Sequence, residues 1–224
     1  MTHKTEDLIA GLVADLSPIA PLRKRSGMVL AVLALGGGTT GMLLLHGLRT
    51  DLAAGRPDAM VLISSGLFLV LALASSWAVV DMARPFVGAR REGWGWTALM
   101  AGVLPAAALV LIAAAWLRDA PSGLELDGWN CMRFGLGWGL LTAAALVQWL
   151  RRGAPSRLDH AGLLTGVAAG AAGIFAVSLY CPHNDLVHIG VWHGLTIVLA
   201  GIAGRLVIPR LIAWESGWGG KGLS

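Results

Sequence analysis

Charge is scarce in this chain. Asp, Glu, Lys and Arg make up 13% of its 224 residues, against about 25% in an average soluble domain. That deficit is too large for a water-facing surface, so most of the chain must face lipid. Cysteine is rarer still, with two residues. There is no Cys-x-x-Cys pair, no Ser-His-Asp set and no pair of carboxylates within the apolar runs, so no enzyme is read here. A membrane oxidoreductase passing electrons between outer thiols and a quinone would need a shuttling dithiol, and only two cysteines exist. A small-solute transporter would want intramembrane charge or broken helices in related positions. The centres of the apolar runs are almost free of charge. No small-residue cleavage motif accompanies the first apolar run, which begins near residue 26, so it is expected to stay as a span.

Apolar residues fill the space that charge leaves. They make up 56% of the chain, with a mean hydropathy of +0.69. Crossing the hydrocarbon takes about 20 apolar residues of helix. Six runs qualify: 26–48, 58–80, 94–117, 131–150, 160–180 and 188–208. Backbone groups in lipid must be satisfied within the segment, which requires helices. The runs are continuous rather than alternating, which argues against a barrel. The expected fold is an all-α bundle of six transmembrane helices over 26–214. A cytoplasmic tail, 1–25, precedes it and a short one, 215–224, follows.

A sequence pI near 9.7 could suggest nucleic acid. The basic residues, however, lie at helix ends, which points to membrane topology instead. Lys4, Arg23, Lys24, Arg25, Arg84, Arg90, Arg91, Arg151, Arg152, Arg157, Arg205, Arg210 and Lys221 fall on one side. Only Arg49, Arg56, Arg118 and Arg133 fall on the other. The positive-inside rule then places both termini in the cytoplasm, and an even number of spans agrees.

The tail carries its own pattern. Leu8, Ile9, Leu12, Val13 and Leu16 recur at helical spacing and form one apolar stripe. Thr5 is a candidate N-cap, and Glu6 and Asp7 are placed in the first turn, where acid suits the dipole. Pro18 and Pro21 close the helix. A helix of about a dozen residues is marginal alone in water, so the stripe needs cover. A partner protein, the lipid surface or the chain's own loops would each supply it. The acidic polar face argues against simple lipid binding.

Glycine serves packing. Gly36-Gly37-Gly38-Thr39-Thr40-Gly41 resembles a phosphate loop only in glycine content, since no Lys-Ser/Thr follows. Gly37/Gly41, Gly135/Gly139 and Gly166/Gly170 have the four-residue spacing of close helix faces. Pro105 is expected to kink the third span, and Asp81 to pair with Arg84.

The ligand-rich stretch is Cys181-Pro182-His183-Asn184-Asp185-Leu186-Val187-His188, continuing to His193. Asn184 or Asp185 can cap the helix that follows. Cys131 and Cys181 fall on the same expected side at the same depth. Three readings stay open. The cysteines could form a disulfide, which needs Cα atoms about 4.4–6.8 Å apart. They could bind zinc or another soft divalent ion together with His183 and His188. They could also be small buried hydrophobes. His193 is disfavoured as a ligand. At five residues from His188 it lies about 140° round an α-helix and about 7.5 Å deeper.

Taken together these features resemble the NrsF-like family of bacterial inner-membrane anti-sigma factors, named for negative regulation of sigma F. The resemblance rests on the tail segment Asp7 to Ile19, the six-span layout, Cys131, Cys181-Pro182, His188 and Trp192-His193. It implies a multi-pass inner-membrane regulator whose tail holds an extracytoplasmic-function sigma factor. It implies that Leu8, Leu12, Asp15, Leu16 and Pro18 carry that contact, within a stripe that also includes Ile9 and Val13. It further implies that Cys131 and Cys181 sense metal or oxidative stress. The histidines are added from their own chemistry.

Overall fold

Every regular element among the described residues, 2–14, 22–84, 94–118 and 128–213 of a computed structural model, is helical. In chain order they are α1 (Thr2–Ala14), α2 (Lys24–His46), α3 (Thr50–Ala53), α4 (Ala59–Met82), α5 (Trp94–Trp116), α6 (Trp129–Arg151), α7 (Leu158–Ser178), α8 (Leu186–His188) and α9 (Gly194–Ile212). A π turn over Ile189–His193 joins α8 to α9. Five segments are long and apolar enough to cross a membrane: α2, α4, Leu99–Trp116 of α5, α7, and the continuous run Leu186–Ile212. The remaining expected span, 131–150, is also a helix. At 23 residues α6 has the length, but it is less apolar than the five. Asn130, Arg133, Thr142, Gln148 and Arg151 dilute it.

The surface is inverted relative to a soluble protein. Leu33, Leu44, Leu109, Val110 and Leu140 are exposed, whereas Ser64, Ser75, Ser76, Thr142 and Thr165 are buried. Exposed apolar area on this scale would be costly in water. In lipid it costs nothing, and small polar residues serve helix contacts. The molecule is a membrane protein.

The centre is α7, chosen for thinness. Sixteen of its 21 residues are buried, and nearly all are Gly, Ala, Val, Ser or Thr. A methyl group added at Gly173 would overlap the Gly135 carbonyl of α6, and one at Gly139 would overlap Ala169 of α7. On the adjoining face Gly166 and Gly170 meet Ala200 and Ile197 of α9. Backbones this close gain dispersion contacts that bulkier residues would prevent. The expected faces Gly135/Gly139 and Gly166/Gly170 are therefore contact faces. In α2 the face is turned by one residue. Gly38 and Gly41 meet Trp138, while Gly37 faces open space.

Two buried clusters mark the two ends of the bundle. One includes Met42, Phe68, Leu104, Cys131, Ile174, Cys181 and Ile189. The other includes Ala31, Val80, Leu146, Trp149, Ala161 and Ile208. Helix α2 runs between them, and its first residues lie at the second cluster. There Gly27 sits under Trp149, and Trp149 Nε1 donates to the Val80 carbonyl at 3.2 Å. Lys24 forms an ion pair with Asp81, a partner not read from the sequence. Pro105 lies inside α5 without ending it and rests against Gly194.

Helix α1 begins at Thr2, so Thr5 is internal rather than its cap, and Glu6 and Asp7 lie beyond the first turn. Ile9 and Val13 are exposed. Leu8 and Leu12 lie on the same helix, whereas Asp15, Leu16, Pro18 and Pro21 lie outside the described residues. So do the 214–224 tail and most of the loops 81–93 and 118–130.

Candidate functional site

The site forms where three helix ends meet. Cys131 enters on the first turn of α6. Cys181 follows α7 by three residues, and its backbone N–H bonds to the Val177 carbonyl at 2.8 Å. His188 closes α8, whose first turn is capped by Asp185. That carboxylate accepts the His188 N–H at 2.6 Å. Of the two candidate caps, then, Asp185 performs the task. Asn184 is engaged elsewhere.

The sulfurs of Cys131 and Cys181 lie 3.4 Å apart, and both are free thiols. A disulfide would need about 2.05 Å. Cys181 Sγ lies 3.6 Å from Nε2 of His188. His193 joins them. One ligand atom from each of Cys131, Cys181, His188 and His193 falls within 4.8 Å of the other three, and all four residues are buried. Thus the pairing of cysteines with imidazoles expected from sequence forms, but with a different second histidine. His183 stacks on His188, with ring centroids 4.4 Å apart, and belongs with Asp185 and His188 to a neighbouring, more exposed group.

The π turn explains why the helical count misplaced His193. In an α-helix positions five apart diverge. In a π turn the hydrogen bond spans i to i+5, so the turn holds one more residue. His188 and His193 then stand one above the other, with their rings edge-to-face at 5.4 Å. Close neighbours maintain the turn. A side chain at Gly190 would strike Leu104 and Ala108 of α5, and one at Gly128 would strike the Trp192 ring.

Burial leaves the imidazoles short of partners. Neither ring nitrogen of His193 has a hydrogen-bond partner, nor does Nδ1 of His188. The Cys181 thiol is held well below its ordinary value. The adjacent Cys131 thiol is the first cause, and His188 and His193 follow it. A thiolate is the metal-binding and redox-active form of cysteine. The group is a buried Cys/His cluster able to hold a metal ion.

A second feature was not read from the sequence. Arg49, just beyond α2, is buried to 9% exposure and clasps the Cys181 loop. It donates to the Cys181 carbonyl at 2.6 Å, to Asn184 Oδ1 at 2.5 Å and to Asp51 Oδ1 at 2.6 Å. Its own N–H bonds to the Leu179 carbonyl at 3.0 Å. The guanidinium holds the Asp51 carboxyl below its usual range. The available signal was topological: Arg49 is one of only four basic residues on the side expected to lack them.

A polytopic membrane protein with a buried thiol–imidazole cluster at one end is the class that fold and site define. Comparison with known proteins narrows it. The profile of the family described as NrsF, negative regulator of sigma F, matches residues 12–214. The chain belongs to that family. A curated relative from Azospira oryzae, named probable anti-sigma-F factor NrsF, is 31% identical over 222 residues, covering 94% of this chain and all of the relative. No solved structure matches.

Proposed function

We propose that this chain is a non-enzymatic membrane anti-sigma factor of the bacterial inner membrane. Its segment 1–25 holds an extracytoplasmic-function sigma factor in the cytoplasm and keeps it from RNA polymerase. Cys131 and Cys181, on the opposite side of the bilayer, receive the signal for release. In this reading α6 crosses the membrane as a sixth span, shielded by its close contact with α7, and both termini are cytoplasmic.

The observation that carries the reading is the placement of the two thiols 3.4 Å apart, at the end of the bundle remote from the start of α2. A reagent or ion that joins two sulfurs at that distance changes how α6 and the Cys181 loop are held together. Arg49 ties the same loop to the far end of α2. The near end of α2 leads into the tail. A signal at the thiols acts by favouring one arrangement of these helices over another. Exposed Ile9 and Val13 on α1 supply contact area for the partner. Burying each fully would contribute about 1.5–3 kcal/mol.

The test is co-purification of the host's extracytoplasmic-function sigma factors with this protein. Removing residues 1–20 should leave a folded membrane protein that no longer captures any of them. Capture by the truncated chain, with the same yield as the full one, would discard the assignment. Cys131→Ser or Cys181→Ser should retain capture yet fail to release on challenge with metal or oxidant.

A further inference from the structure

We infer that Cys131, Cys181, His188 and His193 form a closed, four-ligand site for one divalent ion of the zinc class. The inference deepens the sensing role proposed above and rests on it for any regulatory meaning, although ion binding itself does not depend on it.

The four ligand atoms lie within 4.8 Å of one another, a spacing that one ion can bridge. Zinc holds sulfur at about 2.3 Å and nitrogen at about 2.0–2.1 Å. A tetrahedron of those radii has edges of about 3.8 Å between sulfurs and about 3.5 Å between sulfur and nitrogen. The edges observed are 3.4 Å for Cys131–Cys181 and 3.6 Å for Cys181–His188. Two thiolates and two neutral imidazoles would cancel the charge of a divalent ion. Such cancellation matters where all four residues are buried, since an unpaired charge there is costly.

The unpartnered nitrogens point the same way. His193 is 1% exposed, and neither of its ring nitrogens has a hydrogen-bond partner. An unmade hydrogen bond in such a place is costly. Coordination to an ion satisfies one of those nitrogens directly. The surroundings also hold the ligands still. His183 stacks on His188, Asp185 caps its turn, and Arg49 grips the carbonyl of Cys181. Outer partners of this kind commonly orient metal ligands. The π turn serves the same end, because it brings His193 under His188. Single π turns of this kind often occur at functional sites. Soft thiolates with imidazole select zinc and similar ions over magnesium or calcium. Four protein ligands leave no open position for substrate, so the ion acts by tying α6, the Cys181 loop and the last helix together.

The test uses the full chain in detergent micelles, reduced and stripped of metal by chelation, with cobalt(II) as the probe. One equivalent should produce a thiolate-to-cobalt charge-transfer band and the visible bands of a tetrahedral ion. Zinc should displace it. Cys131→Ser, Cys181→Ser, His188→Gln and His193→Gln should each weaken binding by at least about tenfold and alter the spectrum. His46→Gln should leave the spectrum and affinity unchanged, whereas His183→Gln, which removes only a ring stacked on His188, should weaken binding but keep the four-ligand spectrum. Each variant is melted without metal, and any that fails to fold is replaced by the corresponding alanine. Absence of a thiolate band in the folded wild type would overturn the inference. So would a spectrum that survives His193→Gln but not His183→Gln. Sigma-factor capture is measured separately, so a chain that binds cobalt but no sigma factor refutes the anti-sigma reading alone.

Discussion

At the scale of the residue, Arg49 is the most constrained side chain near the site. Its planar fork reaches three acceptors at once: the Cys181 carbonyl, Asn184 and Asp51. A lysine carries the charge but not the fork. Arg49→Lys should therefore cost about 1.5–3 kcal/mol, the worth of a hydrogen bond to a charged group. A lower melting temperature in micelles, with faster alkylation of Cys181 as the loop loosens, is the expected outcome. Asp51 adds a pH dependence. Arg49 lowers its carboxyl from the ordinary value of 3.8. A group depressed in the folded state contributes stability fully above its unfolded value and loses it as pH falls through the folded one. The melting temperature should thus be insensitive to this pair between about pH 7 and 5 and fall below about pH 4. Asp51→Asn lacks that contribution and should show a shallower acid decline. Equal slopes for the two proteins would show that the pair contributes nothing.

At the scale of the element, the π turn decides which histidines meet. A π turn is an α-helix with one residue added. Deleting Val191, half-buried in the turn, should restore ordinary i→i+4 pairing and leave the histidines four apart on one face. That variant is expected to stay folded and to keep its cobalt spectrum. Inserting an alanine after Val191 rotates His193 by a further 100° or so and should abolish it. The comparison also shows what the sequence could reveal. Long apolar runs place the helices within a few residues, because lipid permits little else. Glycines four apart in α6 and α7 reveal their faces, because only a missing side chain permits such contact. The position of His193 was hidden, because counting at 100° per residue assumes a regular helix. The partners of Gly38, Asp81 and Arg49 were hidden too. Each has a partner on a segment distant in sequence, and local pattern carries no record of that choice. The tail residues Asp15, Leu16 and Pro18, outside the described residues, keep only their sequence argument.

At the scale of the whole molecule, α2 is the spanning helix that begins next to the tail and ends next to Arg49. Its 23 residues span about 34 Å at 1.5 Å per residue, enough to cross the hydrocarbon. At one end Lys24 is bonded to Asp81, and just past the other Arg49 grips the cysteine loop. Between them Gly38 lies against the Trp138 carbonyl and Gly41 under the Trp138 ring, so α2 packs closely on α6 along its second half. Transmission along this rod requires the two ends to face different compartments. Sidedness can be read with single cysteines placed in a Cys131→Ser, Cys181→Ser background. Ala54→Cys lies on the exposed turn after α3, beside the site, and Thr5→Cys lies on α1. A membrane-impermeant maleimide applied to cells with a permeabilised outer membrane should label Ala54→Cys at once. It should label Thr5→Cys only after lysis. Labelling of both before lysis would place sensor and tail in one compartment. The thirteen-to-four distribution of basic residues would then have been misread, and release would have to occur without any signal crossing the bilayer.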